Sequence, residues 1–262
     1  VEDLPVGTFF YGAYDNKGRK FGYKKVEYDF FTSDDGKSVF SERSIFVMDF
    51  INSDRETRYS SVYRMEHFFS VDDGLELSAA LHNYKIKNIS FKNGGPTHTS
   101  ESQTMLRRKG NALEVIRSSY GKDRVWEIPA PGLTAYEYLA EYFLFRSNPS
   151  TGDRVVTKYI DFDDLSIVES VVTIDAVTTV SAGNTKTRQF ACSFDLPRSG
   201  LRGECIGLES GMIDQVTYGS GYEFKREPES LATQRHKSVD FSNAGSVPID
   251  RALPDPFSLS FI

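Results

Sequence analysis

A chain of 262 residues suffices for one large all-β domain or two small ones, with a sizeable hydrophobic core. Its 20 Phe and 14 Tyr against one Trp and four Met are an aromatic bias that favours strands over helices. With 31 basic against 37 acidic residues and no concentrated basic face, nucleic acid is not an expected partner, and no apolar run is long enough to span a bilayer.

The chain opens on Val1 without an initiator Met, which fits a removed signal peptide or a trimmed chain alike. In chain order, Asn16-Lys17-Gly18 separates two aromatic strands and reads as a hairpin turn, Gly18 supplying the left-handed residue. Gly22 interrupts the second strand, as at a bulge or a close approach of another backbone or ring. In FGYKKVEYDFF, Lys24, Val26, Tyr28 and Phe30 share one face, the period of a half-buried strand. Extended runs follow at 39–51, 56–69 and 77–92, separated by the turns 32–38 and 71–76, which carry Asp and Gly, and by 52–55, which indicates an antiparallel meander. The polar, aperiodic stretch 93–104 reads as a long exposed loop, and ALEVIRSS and RVWEI then pair across YGKD.

One helix is expected over about 134–146. Thr134 and Glu137 have capping-box spacing, Leu139, Tyr142, Phe143 and Phe145 form an apolar stripe, and Pro149 and Gly152 end the segment. The stripe is core by default, with the lining of a ligand cavity as the alternative. Strands resume with RVVTKYIDF, and a short helix is expected at ESLATQR. Cys192 and Cys205 fit either one disulfide of an exported protein or two reduced core thiols. A turn at 197–200 would set them opposite one another across a hairpin, within bonding reach, and closing so short a loop contributes roughly 3 kcal/mol. Residues 236–262 lose periodicity and read as an extended linker or terminal strand after a β-rich domain over 1–235, divisible into sub-units 1–128 and 129–235.

Chemical motifs are sparse. His67, His82, His98 and His236 lack metal-ligand spacing, no nucleophile elbow or phosphate loop occurs, and both cysteines sit in apolar strands. The acidic group 161–164 reads as a strand-end turn rather than a Ca²⁺ loop. No catalytic, metal or cofactor residue is assigned. The ligand-binding candidates are the rim of Tyr11, Tyr14 and Tyr23 and the 93–104 loop.

Tyr11-Gly12-Ala13-Tyr14 with Lys20-Phe21-Gly22-Tyr23 resembles the opening hairpin of the N-terminal, non-catalytic region of bacterial exported transglutaminase-like proteins. Residues 207–232 are similar to that family's strand–turn–strand before a helix start, and 247–262 to its Pro-rich linker. The resemblance implies an accessory binding or scaffolding domain in the periplasm or another exported setting, engaging protein or a cell-envelope polymer. The expected papain-like catalytic core would lie downstream, so no catalytic residue carries over. The layout of a sheet with one aromatic helix is also similar to periplasmic lipoprotein carriers, which implies an apolar ligand in a sheet–helix cavity of roughly 300 Å³ or more. An enzyme of unrecognised type is the third alternative, and it requires His and carboxylates gathered in one cleft. The fold expected is mainly β: a large curved antiparallel sheet or open barrel with one packed helix, a two-layer sandwich being the alternative.

Overall fold

In the computed structural model, residues 3–52, 57–90, 96–182, 185–196, 201–219, 221–234 and 239–240 are described. The opening turn forms as its chemistry dictates. The buried Asp15 carboxylate accepts the N–H groups of Lys17 at 3.0 Å and Arg19 at 2.8 Å, and Gly18 takes φ 71°. Burial alone would raise the Asp15 pKa, but these N–H donors and the Arg19 guanidinium hold it below its usual value. Gly22 serves close approach: a Cβ there would lie 2.2 Å from the Val47 carbonyl oxygen, and the ladder slips beside it, between Ala13 and Tyr14.

The first run of strands is β1 (Gly7–Tyr14), β2 (Lys20–Thr32), β3 (Ser38–Asn52), β4 (Thr57–Ser70), β5 (Glu76–Ser90), β6 (Pro96–Lys109), β7 (Ala112–Ser119) and β8 (Lys122–Pro129). Helices α1 (Ala135–Tyr138) and α2 (Ala140–Arg146) lead to β9 (Arg154–Ile160), β10 (Ile167–Ala182), β11 (Thr185–Leu196), β12 (Leu201–Leu208), β13 (Ile213–Tyr218) and β14 (Glu223–Glu227). A short α3 (Glu229–Ala232) and a two-residue β15 (Val239–Asp240) follow.

Fourteen strands form one continuous path, β8-β7-β6-β5-β4-β3-β2-β1-β14-β13-β12-β11-β10-β9, with β15 pairing β3 in parallel. Each ladder along the path is antiparallel. The molecule is therefore mainly β, a large open antiparallel sheet rather than a sandwich. Its edges, β8 and β9, do not pair along this path. The turn between β9 and β10 is tucked against the concave side instead. There Phe162 lies 5.0 Å from the His82 ring and 6.0 Å from the His67 ring, and Arg117 donates to its carbonyl.

The helical segment crosses this concavity. Leu77 N–H donates to the Leu133 carbonyl and Ala135 N–H to the Leu75 carbonyl, which ties the segment to the start of β5. The Thr134–Glu137 capping box is formed, and Leu139, Tyr142 and Phe145 are buried. One expectation is corrected: the helix is two short helices interrupted at Leu139, whose φ −107° and ψ 28° leave the helical region.

A second correction concerns 93–104. Residues 96–104 belong to β6, in register with β5, while 93–95 lie outside the described residues. The alternation there is carried by Ser100, Ser102 and Thr104 instead of hydrophobes. Ser100 and Thr104 are buried on the concave face, and Thr104 Oγ1 accepts from Arg117 Nε at 3.2 Å. Apart from Val239 and Asp240, the segment 236–262 lies outside the described residues.

Candidate functional site

Strand register sets the inner face. One cross-strand row runs Tyr11, Lys24, Phe46, Tyr63 and Tyr84; a parallel row runs Tyr28, Glu42, His67, Ala80 and Leu106. Polar groups thus stand within an aromatic concavity because the pleat alternates and the row is fixed by pairing.

The first polar group is closed. His67 Nδ1 and Glu42 Oε2 are 2.9 Å apart, and Tyr138 of α1 donates to the same carboxylate oxygen at 3.2 Å. Glu42 is 4% exposed and His67 2%, and the Tyr138 ring covers His67 at 4.7 Å. Burial, reinforced by the negative charge of Glu42, pushes the Tyr28 and Tyr138 hydroxyls well above their ordinary pKa. His82 is pushed down to about 4 by burial, with the neighbouring His67 ring and the Arg117 guanidinium adding to the effect.

The second polar group borders open space. A cavity of about 100 Å³ lies between β1, β2, β13 and α2. Leu139, Met212, Ile213, Val216 and Phe224 supply apolar wall, and Lys24 and Glu141 also line it. A second cavity of about 70 Å³ adjoins it and shares Glu141, Ile213, Val216 and Tyr218. Glu141 accepts from Thr157 Oγ1 at 2.6 Å, and burial raises its pKa. The Lys24 ammonium makes no hydrogen bond and no ion pair with any described residue. Burial lowers its pKa against the opposing pull of Glu42 and Glu141.

The three candidate tyrosines do not share one rim. Tyr11 points inward, lines the larger cavity and donates to the Ile213 carbonyl at 3.1 Å; burial pushes its pKa up to about 12. Tyr14 lies on the other face, where its hydroxyl donates to Glu227 and the ammonium groups of Lys20 and Lys225 stand 5.6 and 5.8 Å from its ring centre. Burial and the Glu227 bond push the Tyr14 pKa up to about 12. Tyr23 pairs with Gly12, one residue out of phase with Tyr11, and so also faces outward. Cys192 and Cys205 are paired directly across β11 and β12 with Cα atoms 5.0 Å apart, and they form a disulfide.

The acidic stretch 161–164 is a turn whose carboxylates cap local N–H groups, Asp161 for Asp163 and Asp164 for Ser166. Among the described residues no group of three or more His, Cys, Asp or Glu is placed to hold a metal ion, and no helix is long and apolar enough to cross a membrane. His236 lies outside the described residues. On the convex side a groove of about 810 Å³ runs over Phe31, Val39, Phe68 and Ala79, flanked by Lys37 and Arg107.

Sequence reading placed Lys24 and Tyr28 on one strand face but missed Lys24, Glu42, His67 and Glu141 as a set. The available signal was a lysine in phase with Val26, Tyr28 and Phe30, and Glu141 three residues from Tyr138 and four from Phe145 on the buried helix face.

No family model matches the chain, and no curated protein matches it. Among solved structures it is similar to the crystal structure of a beta-barrel-like protein of domain of unknown function DUF1849 from Brucella abortus, at 11% sequence identity. That match has a TM-score of 0.52 and covers 84% of this chain and 94% of the other, a likeness of fold.

Proposed function

We propose that this chain is a non-catalytic binding domain that receives a small apolar ligand between its helical segment and the concave sheet. The observation that carries the reading is the pair of adjoining cavities of about 100 and 70 Å³, walled by apolar side chains and sharing Ile213 and Val216. Cavities of that size narrow the carrier alternative to ligands far smaller than a lipid, which needs some 300 Å³ or more. The Cys192–Cys205 bond supports an oxidising, exported setting such as the periplasm. The scaffolding role beside a transglutaminase-like protein rests on the terminal sequence motifs alone. The Glu42–His67 pair is what favours an enzyme; its closure under Tyr138 counts against that reading, since a general base must reach its substrate.

The test is thermal unfolding of the full chain with 1-butanol as an apolar probe, set against Val216→Phe, which fills wall shared by both cavities. A ligand at about a hundred times its Kd stabilises by about 2.7 kcal/mol. The wild type should show a saturable rise in Tm and the filled variant none. Equal responses, or none in either protein, would reject the reading.

A further inference from the structure

We infer that the ligand of this interior site is a short-chain monocarboxylate, its carboxylate seated on the Lys24 ammonium and its tail among Leu139, Ile213 and Val216. The inference rests on the binding reading above and names the ligand class.

Lys24 is half-buried, and an ammonium drawn partly out of water normally gains a bonded counter-charge, because desolvation without one is costly. Here the two nearby carboxylates attract Lys24 but make their hydrogen bonds elsewhere: Glu42 to His67 and Tyr138, and Glu141 to Thr157. Burial also holds Glu141 toward its neutral form. The Tyr11 hydroxyl is spent on the Ile213 carbonyl. Lys24 is therefore the cationic donor left over at an apolar cavity. A ligand that fits it has one negative charge and an aliphatic body; a phosphate would demand more donors than the wall supplies.

Size restricts the body. An engineered apolar cavity of about 150 Å³ admits benzene, with six heavy atoms. The space of about 100 Å³ beside Lys24, extended by the adjoining 70 Å³, suits a four- or five-carbon acid. Seating a carboxylate would also return Lys24 toward its ordinary pKa, so binding should take up a proton on the alkaline side. The groups facing this ammonium are Tyr11 from β1, Tyr28 from β2, Glu42 from β3, Glu141 and Tyr142 from α2, and Tyr218 from β13.

The experiment is calorimetric titration of butyrate, with 1-butanol and butyramide as neutral probes, into the wild type, Lys24→Met and Lys24→Gln. Butyrate should bind the wild type, and both variants should lose at least tenfold in affinity while keeping 1-butanol binding. At about pH 9, titrations in buffers of different ionisation heat should report proton uptake in the wild type only. As a check independent of variant folding, butyrate should protect Lys24 of the wild type from reductive methylation, read by peptide mass spectrometry. Butyrate binding retained by both variants, neutral probes binding the wild type as well as butyrate, or methylation unaffected by butyrate would overturn the carboxylate assignment and leave the cavity reading standing. Failure of every probe on the wild type would overturn both.

Discussion

The concave interior holds two clusters that solve the same packing problem differently. One joins β3, β4, β5, β6 and β7 to α1, with Phe40, Phe69, Leu106 and Leu133 fully or nearly fully buried, and encloses the Glu42–His67 pair. The other joins β1, β2 and β10–β14 to α2, with Phe145, Phe190 and Phe194 seated on a face kept shallow by Gly203 and Gly207. The first cluster closes its polar pair internally, under the Tyr138 ring, and reaches the larger cavity at Leu139, Tyr142 and Met212. The second is pinned by a disulfide and ring-on-glycine fits, yet it borders both cavities, where Lys24 makes no hydrogen bond or ion pair with any described residue. Closed polar packing and open space are thus unevenly divided between neighbouring parts of one sheet.

The largest effect should come from breaking the closed pair. Glu42→Ala leaves His67 buried without its partner and should cost about 3–5 kcal/mol in urea unfolding, while Tyr138→Phe, which removes one donor, costs about 1 kcal/mol. A loss under 1 kcal/mol for Glu42→Ala would mean that the first cluster does not depend on its polar centre. In the second cluster, replacing both cysteines by Ala opens a loop with a sequence separation of 13 and should cost about 3 kcal/mol, measured against the oxidised wild type.

A smaller effect is expected at Gly207, where a Cβ would stand 2.5 Å from the Phe145 ring, itself stacked on Phe190 at 6.0 Å. Gly207→Ala should cost about 1–3 kcal/mol, and the same change combined with Phe145→Leu should cost less than the sum of the two. Additive costs would show that the ring and the glycine are not coupled.

The mildest test concerns pH. His82 has its folded pKa lowered from 6.5 to about 4, so its contribution is fully present above pH 6.5 and is lost as pH falls through about 4. His82→Gln should flatten the stability curve across that window; superimposable curves would place the acid sensitivity elsewhere.

Much of this architecture was legible in the residues. The strand face of Lys24, Val26, Tyr28 and Phe30, the Thr134–Glu137 box, the Gly22 irregularity and the Cys192–Cys205 pairing are local features, and local chemistry specifies them. What stayed hidden needs distance. β6 was masked because serine and threonine occupy inner positions where hydrophobes are the usual signal. Glu141 meets Thr157 only once α2 packs on β9, and Glu42 meets Tyr138 across a separation of 96 residues. The rim of Tyr11, Tyr14 and Tyr23 failed to assemble for a geometric reason: the first and last of these pair with Lys24 and Gly12, adjacent registers that face opposite ways.

The strand path has a consequence for how the chain reaches this shape. Along it, every junction except β1–β14 unites strands adjacent in sequence, whereas Phe10 of β1 must find Glu227 of β14 near the far end of the polypeptide. Two meanders can grow independently from their own hairpins, but their union awaits closure of a loop spanning most of the polypeptide. Pulse-labelled refolding should therefore find the β1 amides that face β14 among the last to be shielded, later than those of the β3–β4 ladder.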